Sequence, residues 1–369
     1  MRYRPDLDGI RAAAILAVMA YHTTIGAFGG GWLGVDVFFV LSGFLITTLL
    51  LREFDDTGRI SWARFYGRRA LRLYPALIAI VVAGLVFFRD FGDHGTLRGY
   101  GTTALLALTY TEDLVYGLTG DPHGNMLHTW SLSVEEHFYL IWPLALMVLL
   151  PWRRRASWWV GGAAVASWLA MAATVHVHSA DGTPYRSYIL PWSVAWTLLV
   201  GCGLAVIVRS GRLPRILAQT RVGVTAAVLA VLATLAAARL PREPHMVWES
   251  TLVVLGTAVL IAHLDTEGGL LRRLLGWAPL AYVGRRSYGL YLWHFPILVL
   301  LQRHLNAGGR LDGIAMVVLA FAAAEVSYRV VERPFLRLKS RIGTGKAISS
   351  TSQPAPNARR NVPIPGGTP

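Results

Sequence analysis

The sequence predicts an all-α fold, a polytopic bundle of transmembrane helices with about ten spans plus one short or re-entrant helix. Three observations carry that expectation. Of 369 residues, 54% are hydrophobic and only 15% are charged. Apolar stretches recur from end to end near the length of about 20 residues that a span needs. The arginines gather in short segments between those stretches, where they set topology. The formal net charge of +14 is therefore read as positive-inside patterning, and no nucleic-acid partner is expected. A single cysteine, Cys202, leaves no disulfide framework and no thiol pair for zinc or redox chemistry. No metal site is expected.

Taken in order, the apolar stretches lie near residues 10–28, 34–51, 73–89, 134–151, 157–176, 190–208, 222–240, 247–264, 288–302 and 313–331. The first follows a basic start without a clear cleavage site and reads as a retained signal anchor. A weaker segment near 101–117 carries Glu112 and Asp113. Arginines crowd four loops: Arg52 to Arg72, Arg153 to Arg155, Arg209 to Arg221, and Arg272 to Arg286. If 101–117 does not fully cross, all four loops and both termini fall on the cytoplasmic side. Counted as a full span, it would put Arg153 to Arg155 outside. The expected organisation is a membrane domain over residues 1–338 and a disordered cytoplasmic tail over 339–369, rich in Ser, Pro, Gly and Asn. No internal repeat and no appended soluble domain is visible.

The first stretch, "RAAAILAVMAYH", opens on Arg11 and closes on His22. Eleven steps at about 100° bring both side chains to one helix face, about 16 Å apart along the axis. Arg11 at the cytoplasmic end also suits a topogenic anchor. An ionisable residue at membrane depth, as His22 is, points first to function. In "GVDVFFVLSGFLIT", Asp36 sits near a helix start, and Ser42 with Gly43 reads as small-residue packing between helices. In "SWARFYGRRALRLYPAL", Arg64, Arg68 and Arg72 follow i, i+4, i+8 spacing with Arg69 beside them. Such a fork-bearing cluster suits phosphate groups as well as the positive-inside pattern.

"HTWSLSVEEHFYLIWPL" places Trp130 and Ser131 at a helix entry and Glu135, Glu136 and His137 one turn in. Glu136 with Ser133 fits a capping box. Glu135 is the better candidate for a functional acid, because a carboxylate on an imidazole fixes its tautomer and raises its basicity. "RRSYGLYLWHFPILVL" puts Tyr288, Tyr291 and His294 in one span, with Tyr291 and His294 three apart and therefore neighbours. Glu325 and Glu332 close the membrane part, where Glu332 suits an ion pair with Arg329 or Arg333.

Six ordered stretches, "RPDLDGIRAAAILAVMAYH", "GVDVFFVLSGFLIT", "RFYGRRALRLYPAL", "WSLSVEEHFYL", "SYGLYLWHFP" and "SYRVVERPF", resemble the acyltransferase 3 family of bacterial membrane O-acyltransferases over roughly residues 4 to 338. The family's Arg-x10-His motif maps onto Arg11 and His22, so the resemblance implies that the buried imidazole is the catalytic histidine. It also implies that Arg68, Arg69 and Arg72 meet the acyl-CoA donor, and that Trp130, Ser131 and Glu135 lie at the site. Asp36, Tyr288 and His294 are expected to line it. His137 stands where the family often has glutamine, so it is left outside the core set.

The implied reaction moves an acyl group, expected to be acetyl, from acyl-CoA as co-substrate to a hydroxyl, with no bound cofactor. His22 is the expected general base, oriented by Glu135. Direct transfer and a covalent relay both use a histidine. The implied acceptor is an envelope polysaccharide, a glycolipid or a glycosylated natural product such as a macrolide, met at the bacterial plasma membrane. The rival reading is a proton-coupled transporter or exporter of a small solute, which would also bury His, Glu and Arg among many spans. Such a protein is expected to show repeat symmetry, and none is seen.

Overall fold

The computed structural model describes residues 3–23, 29–121, 123–179, 184–236, 242–266, 269–305 and 310–342, and among them every regular element is helical. Helix α1 (Pro5–His22) begins on a proline, with Asp6 and Asp8 in its first turn at the positive end of the helix dipole. Helix α2 (Gly34–Thr57) ends at Gly58, whose left-handed φ of 71° turns the chain into α3 (Trp62–Gly84). Short helices α4 (Phe88–Phe91), α5 (Leu97–Thr109) and α6 (Glu112–Thr119) follow. Next come α7 (Trp130–Leu149), α8 (Arg153–Ser179), α9 (Pro184–Ile189), α10 (Pro191–Arg209), α11 (Thr220–Ala236) and α12 (Arg242–Thr266). Two short helices, α13 (Gly269–Leu275) and α14 (Ala278–Arg285), lead to α15 (Ser287–Leu305). Helix α16 (Arg310–Ser327) then continues through a π turn at Tyr328–Glu332 into α17 (Arg333–Ile342).

Six helical stretches among the described residues are long and apolar enough to cross a membrane: Gly31–Thr57, Leu127–Trp152, Arg155–His178, Pro191–Arg209, His245–Thr266 and Gly313–Leu338. The chain is a membrane protein. Length and composition alone single out these six, four fewer than the expected ten crossings. The difference has physical causes. Helix α1 carries Asp6, Asp8 and Arg11, and α3 carries four arginines; α15 is diluted by tyrosine, histidine and tryptophan, while Arg221–Leu235 is apolar but shorter.

The weak segment at 101–117 is broken in two. Helix α5 ends at Tyr110, whose φ of 55° is left-handed, and α6 starts two residues later. Thirteen residues span about 20 Å, short of the roughly 30 Å of hydrocarbon. Residues 339–342 close helix α17, and the remainder of the expected tail lies outside the described residues.

Packing centres on α2, which lies against α1, α10 and α12, with α10 also against α8. The α2–α10 crossing needs glycine on both sides. A methyl group at Gly43 would collide with the Leu198 carbonyl, and one at Gly201 with the Val40 carbonyl. The α1–α14 contact is equally close, because a methyl group at Gly284 would meet the Asp8 carbonyl. Gly34 at the start of α2 is as crowded, since a methyl group there would meet the Ala14 carbonyl of α1, so α1 and α2 lie side by side. Their facing residues then form one wall of an internal cavity.

Candidate active site

A cavity of about 550 Å³ runs between α1, α2, α3, α7 and α15. Its α2 wall extends from Val35 to Leu49, about 21 Å at 1.5 Å per residue. One end is strongly basic, with Arg4, Arg11, Arg69 and Arg72. Three of these arginines already have partners. Arg4 donates to Asp6 at 2.7 Å and to Asp265 at 3.0 Å. Burial pulls Arg4 down, but those two carboxylates outweigh it and hold the guanidinium above its ordinary pKa. Arg11 donates to Asp8 at 3.0 Å, and Arg69 pairs with Glu136 at 3.0 Å while lying over the Tyr139 ring at 3.1 Å from its centroid. Arg72 differs. It projects into the cavity near Arg11 and Arg69, and no carboxylate among the described residues is paired with it.

Midway along the cavity, the Tyr139 hydroxyl meets Ser42 Oγ. Ser42 also faces the Glu135 carboxylate. Tyr288 lines the wall opposite and donates from its hydroxyl to the Leu73 carbonyl at 2.8 Å. At the far end Tyr291 donates to the His128 carbonyl at 2.6 Å, which leaves its oxygen to accept from Ser131 at 2.7 Å.

One turn beyond Tyr291 on α15 stands His294, fully buried, with Nε2 3.3 Å from Nδ1 of His22. The His22 Nδ1 is also 3.0 Å from the Val18 carbonyl. Tyr21 and Phe295 flank the His22 ring at 5.0 and 5.2 Å between centroids. His128 completes the cluster, stacked on Phe295 at 5.1 Å and 6.0 Å from His294. Three imidazoles from three parts of the chain thus gather where the cavity ends.

The residues singled out from sequence divide accordingly. Arg11, Arg69, Arg72, Ser131, Glu135 and Tyr288 all line the cavity. His22 and His294 touch each other beyond it. Glu135 is not a partner of His22: among the described residues, the hydrogen bonds of His22 go to Val18 and His294 only. Arg68 is absent from the cavity wall, since one residue before Arg69 it points about 100° away. Asp36 does not line the cavity either. It is fully buried, accepting from the Tyr188 hydroxyl and from Ser250 Oγ at 2.6 Å, and so braces α2 against α9 and α12. Trp130 packs among Phe39, Tyr185 and Tyr188. Ser42 reaches the cavity although its neighbour Gly43 serves helix packing. His137 pairs with Asp113 at 3.1 Å and ties α7 to α6. Glu325 binds Arg286, and Arg329 at 2.6 Å, whereas Glu332 is buried without an ion pair among the described residues. His128 and Tyr139 were not singled out; both lie within the quoted stretch around Trp130, and only the fold shows which spans they face.

The family model of the acyltransferase domain matches residues 4–327. Among curated proteins the chain is similar to YrhL of Bacillus subtilis strain 168, at 33% identity over 352 residues covering 90% of this chain and 55% of that protein. It is also similar to the peptidoglycan O-acetyltransferase OatA of Listeria monocytogenes, at 31% over 353 residues, 90% of this chain and 56% of the relative. The O-acetyltransferase OatA of Staphylococcus aureus strain NCTC 8325 matches at 31% over 349 residues, 90% and 57%. The chain spans about half the length of these curated relatives. No solved structure matches it. With the acyltransferase model covering the helices that build the cavity and the histidine pair at its end, the chain belongs to the acyltransferase 3 family.

Proposed function

We propose that this chain is an integral-membrane O-acyltransferase that moves an acetyl group from acetyl-CoA to a hydroxyl of a cell-envelope saccharide. The observation that carries the reading is an ordered arrangement: a basic cavity end where Arg72 has no paired carboxylate among the described residues, and on the cavity wall Tyr291, whose ring lies 5.5 Å from that of His294 in the His22–His294 pair. Arginine forks suit the phosphates of a CoA donor, and a histidine at the far end suits the general base that an acceptor hydroxyl requires. Peptidoglycan is the favoured saccharide because the Listeria relative is named for it. The proposed topology counts α1, α3, α11 and α15 with the six apolar stretches, giving ten crossings. It places the arginine-rich loops, both chain ends and the basic cavity end in the cytoplasm.

In the proposed reaction His22 takes the hydroxyl proton as the oxygen attacks the thioester carbon. The C–S bond then breaks, and the CoA thiolate recovers a proton. Glu135, near Arg69 and Arg72 rather than His22, acts on the donor side of the cavity. The test compares purified protein in nanodiscs, wild type and His22→Ala, with acetyl-CoA and a soluble muropeptide, reading acetyl mass on the sugar. His22→Ala is expected to lose about 10²- to 10⁴-fold of the transfer rate, the usual contribution of a general base, with an unchanged elution profile. Full transfer by His22→Ala would remove the base assignment.

A further inference from the structure

Carbonyl oxygens only accept hydrogen bonds, and this simple fact sets both rings of the histidine pair. His294 Nδ1 lies 2.7 Å from the Tyr291 carbonyl and 3.1 Å from that of Leu290. Nδ1 of His294 therefore carries the hydrogen, and in the neutral ring Nε2 keeps the lone pair. The same rule applies to His22, whose Nδ1 is 3.0 Å from the Val18 carbonyl and so carries a hydrogen as well. That N–H also faces the lone pair of His294 Nε2 at 3.3 Å, a three-centre arrangement of one donor and two acceptors. His22 Nε2 is left with its lone pair, and among the described residues no hydrogen-bond partner takes it.

From this geometry we infer that His294 is a positioning residue that holds His22 in the Nδ1–H tautomer and aims Nε2 at the acceptor hydroxyl. Its catalytic meaning rests on the proposed acyl transfer, while its geometric content does not. When Nε2 of His22 takes the hydroxyl proton, the acceptor oxygen bonds to the acyl carbon and the C–S bond breaks. Positive charge then spreads over the His22 ring. The Nδ1–H becomes a stronger donor, and the His294 lone pair bonds it more tightly at that moment than in the resting state. The thiolate finally takes the proton from Nε2, and the pair returns to its starting hydrogens. Backbone carbonyls hold His294 in turn, so the orienting chain runs from the α15 main chain through His294 to His22. A carboxylate is not needed for that task. This agrees with Glu135 lying elsewhere.

The test has a spectroscopic and a kinetic arm. Nitrogen-15 NMR of histidine-labelled protein in nanodiscs, with His22→Ala used for assignment, is expected to show His22 protonated at Nδ1 and bare at Nε2. His22 protonated at Nε2 instead would overturn the inference whatever the protein's activity. In muropeptide acetylation from acetyl-CoA, His294→Ala is expected to lose about tenfold to hundredfold in kcat, the range seen for partners that orient metal-bound histidines. The KM for acetyl-CoA should stay unchanged. His294→Gln, whose side-chain oxygen can accept from His22, should recover part of the loss. Wild-type kcat in His294→Ala, or a His294→Gln variant no better than alanine at equal folding, would also overturn it. If alanine prevents folding, the wild-type spectrum and the glutamine variant still decide. Full transfer by His22→Ala with the expected tautomer in the wild type would instead remove the base assignment and leave the pair's geometry standing.

Discussion

Arg72 faces the cavity near Arg11 and Arg69 with no carboxylate among the described residues paired to it, and in the proposed reaction the donor's phosphates fill that place. Arg72→Ala is expected to raise the KM for acetyl-CoA about tenfold or more with little change in kcat, because hydrogen bonds to charged groups contribute about 1.5–3 kcal/mol. Arg72→Lys should fall between, keeping charge but losing the planar fork; initial rates over a donor series check both. Asp36 should behave differently. Removing its carboxylate leaves the Tyr188 and Ser250 hydroxyls buried without an acceptor, at about 1–3 kcal/mol for each unpaired group. Asp36→Ala should therefore lower the melting temperature, with the KM for acetyl-CoA unchanged in whatever protein remains folded. At this scale the sequence was informative about residue type and poor about partner. His22 and the arginine cluster stood out because charge is costly at membrane depth, and Arg69 and Arg72 do face one cavity. The expected orienter of His22, Glu135, is not its hydrogen-bond partner among the described residues: a carboxylate suits that task by chemistry, but only the packing of α1 on α15 brings His294 to His22.

Helices were legible wherever hydrophobic length alone defines them, as for α2, α10 and α12. They were harder to read where polar groups serve the interior, as in α1 and α15. The break at Tyr110 also lay beyond reach, because a left-handed residue that is neither glycine nor asparagine leaves no mark in composition. Close crossings are the element-scale feature with the clearest consequence. Gly43 and Gly201 each oppose a carbonyl of the other helix, and small residues at such interfaces let helices approach. Gly43→Ala is expected to destabilise the bundle by about 1–3 kcal/mol through overpacking. It should also disturb Ser42, its neighbour on the cavity wall. Thermal denaturation in detergent measures the first effect, and the KM for acetyl-CoA reads the second. A stability equal to wild type would mean that α2 and α10 separate more easily than their geometry implies.

Across the whole molecule, contacts that are distant in sequence hold the candidate site. Arg4 reaches Asp265, α1 lies along α13, α14 and α15, and His22 meets His294 across 272 positions. Truncation after Leu275 is therefore expected to leave α1 without its α14 and α15 partners. Limited proteolysis should then cut within α1 in the truncated chain and spare it in the full one. The same arrangement imposes an order in time. At a synthesis rate of about 5–20 residues per second, α1 enters the bilayer roughly 14 to 54 s before the ribosome has made His294. Through that interval Arg11 and His22 wait in the nascent chain without their later neighbours, and the paired imidazoles form only once α15 emerges. A nascent chain that stops short of α15 therefore has no histidine pair, and any competence for proton abstraction that depends on that pair waits for α15 to dock on α1.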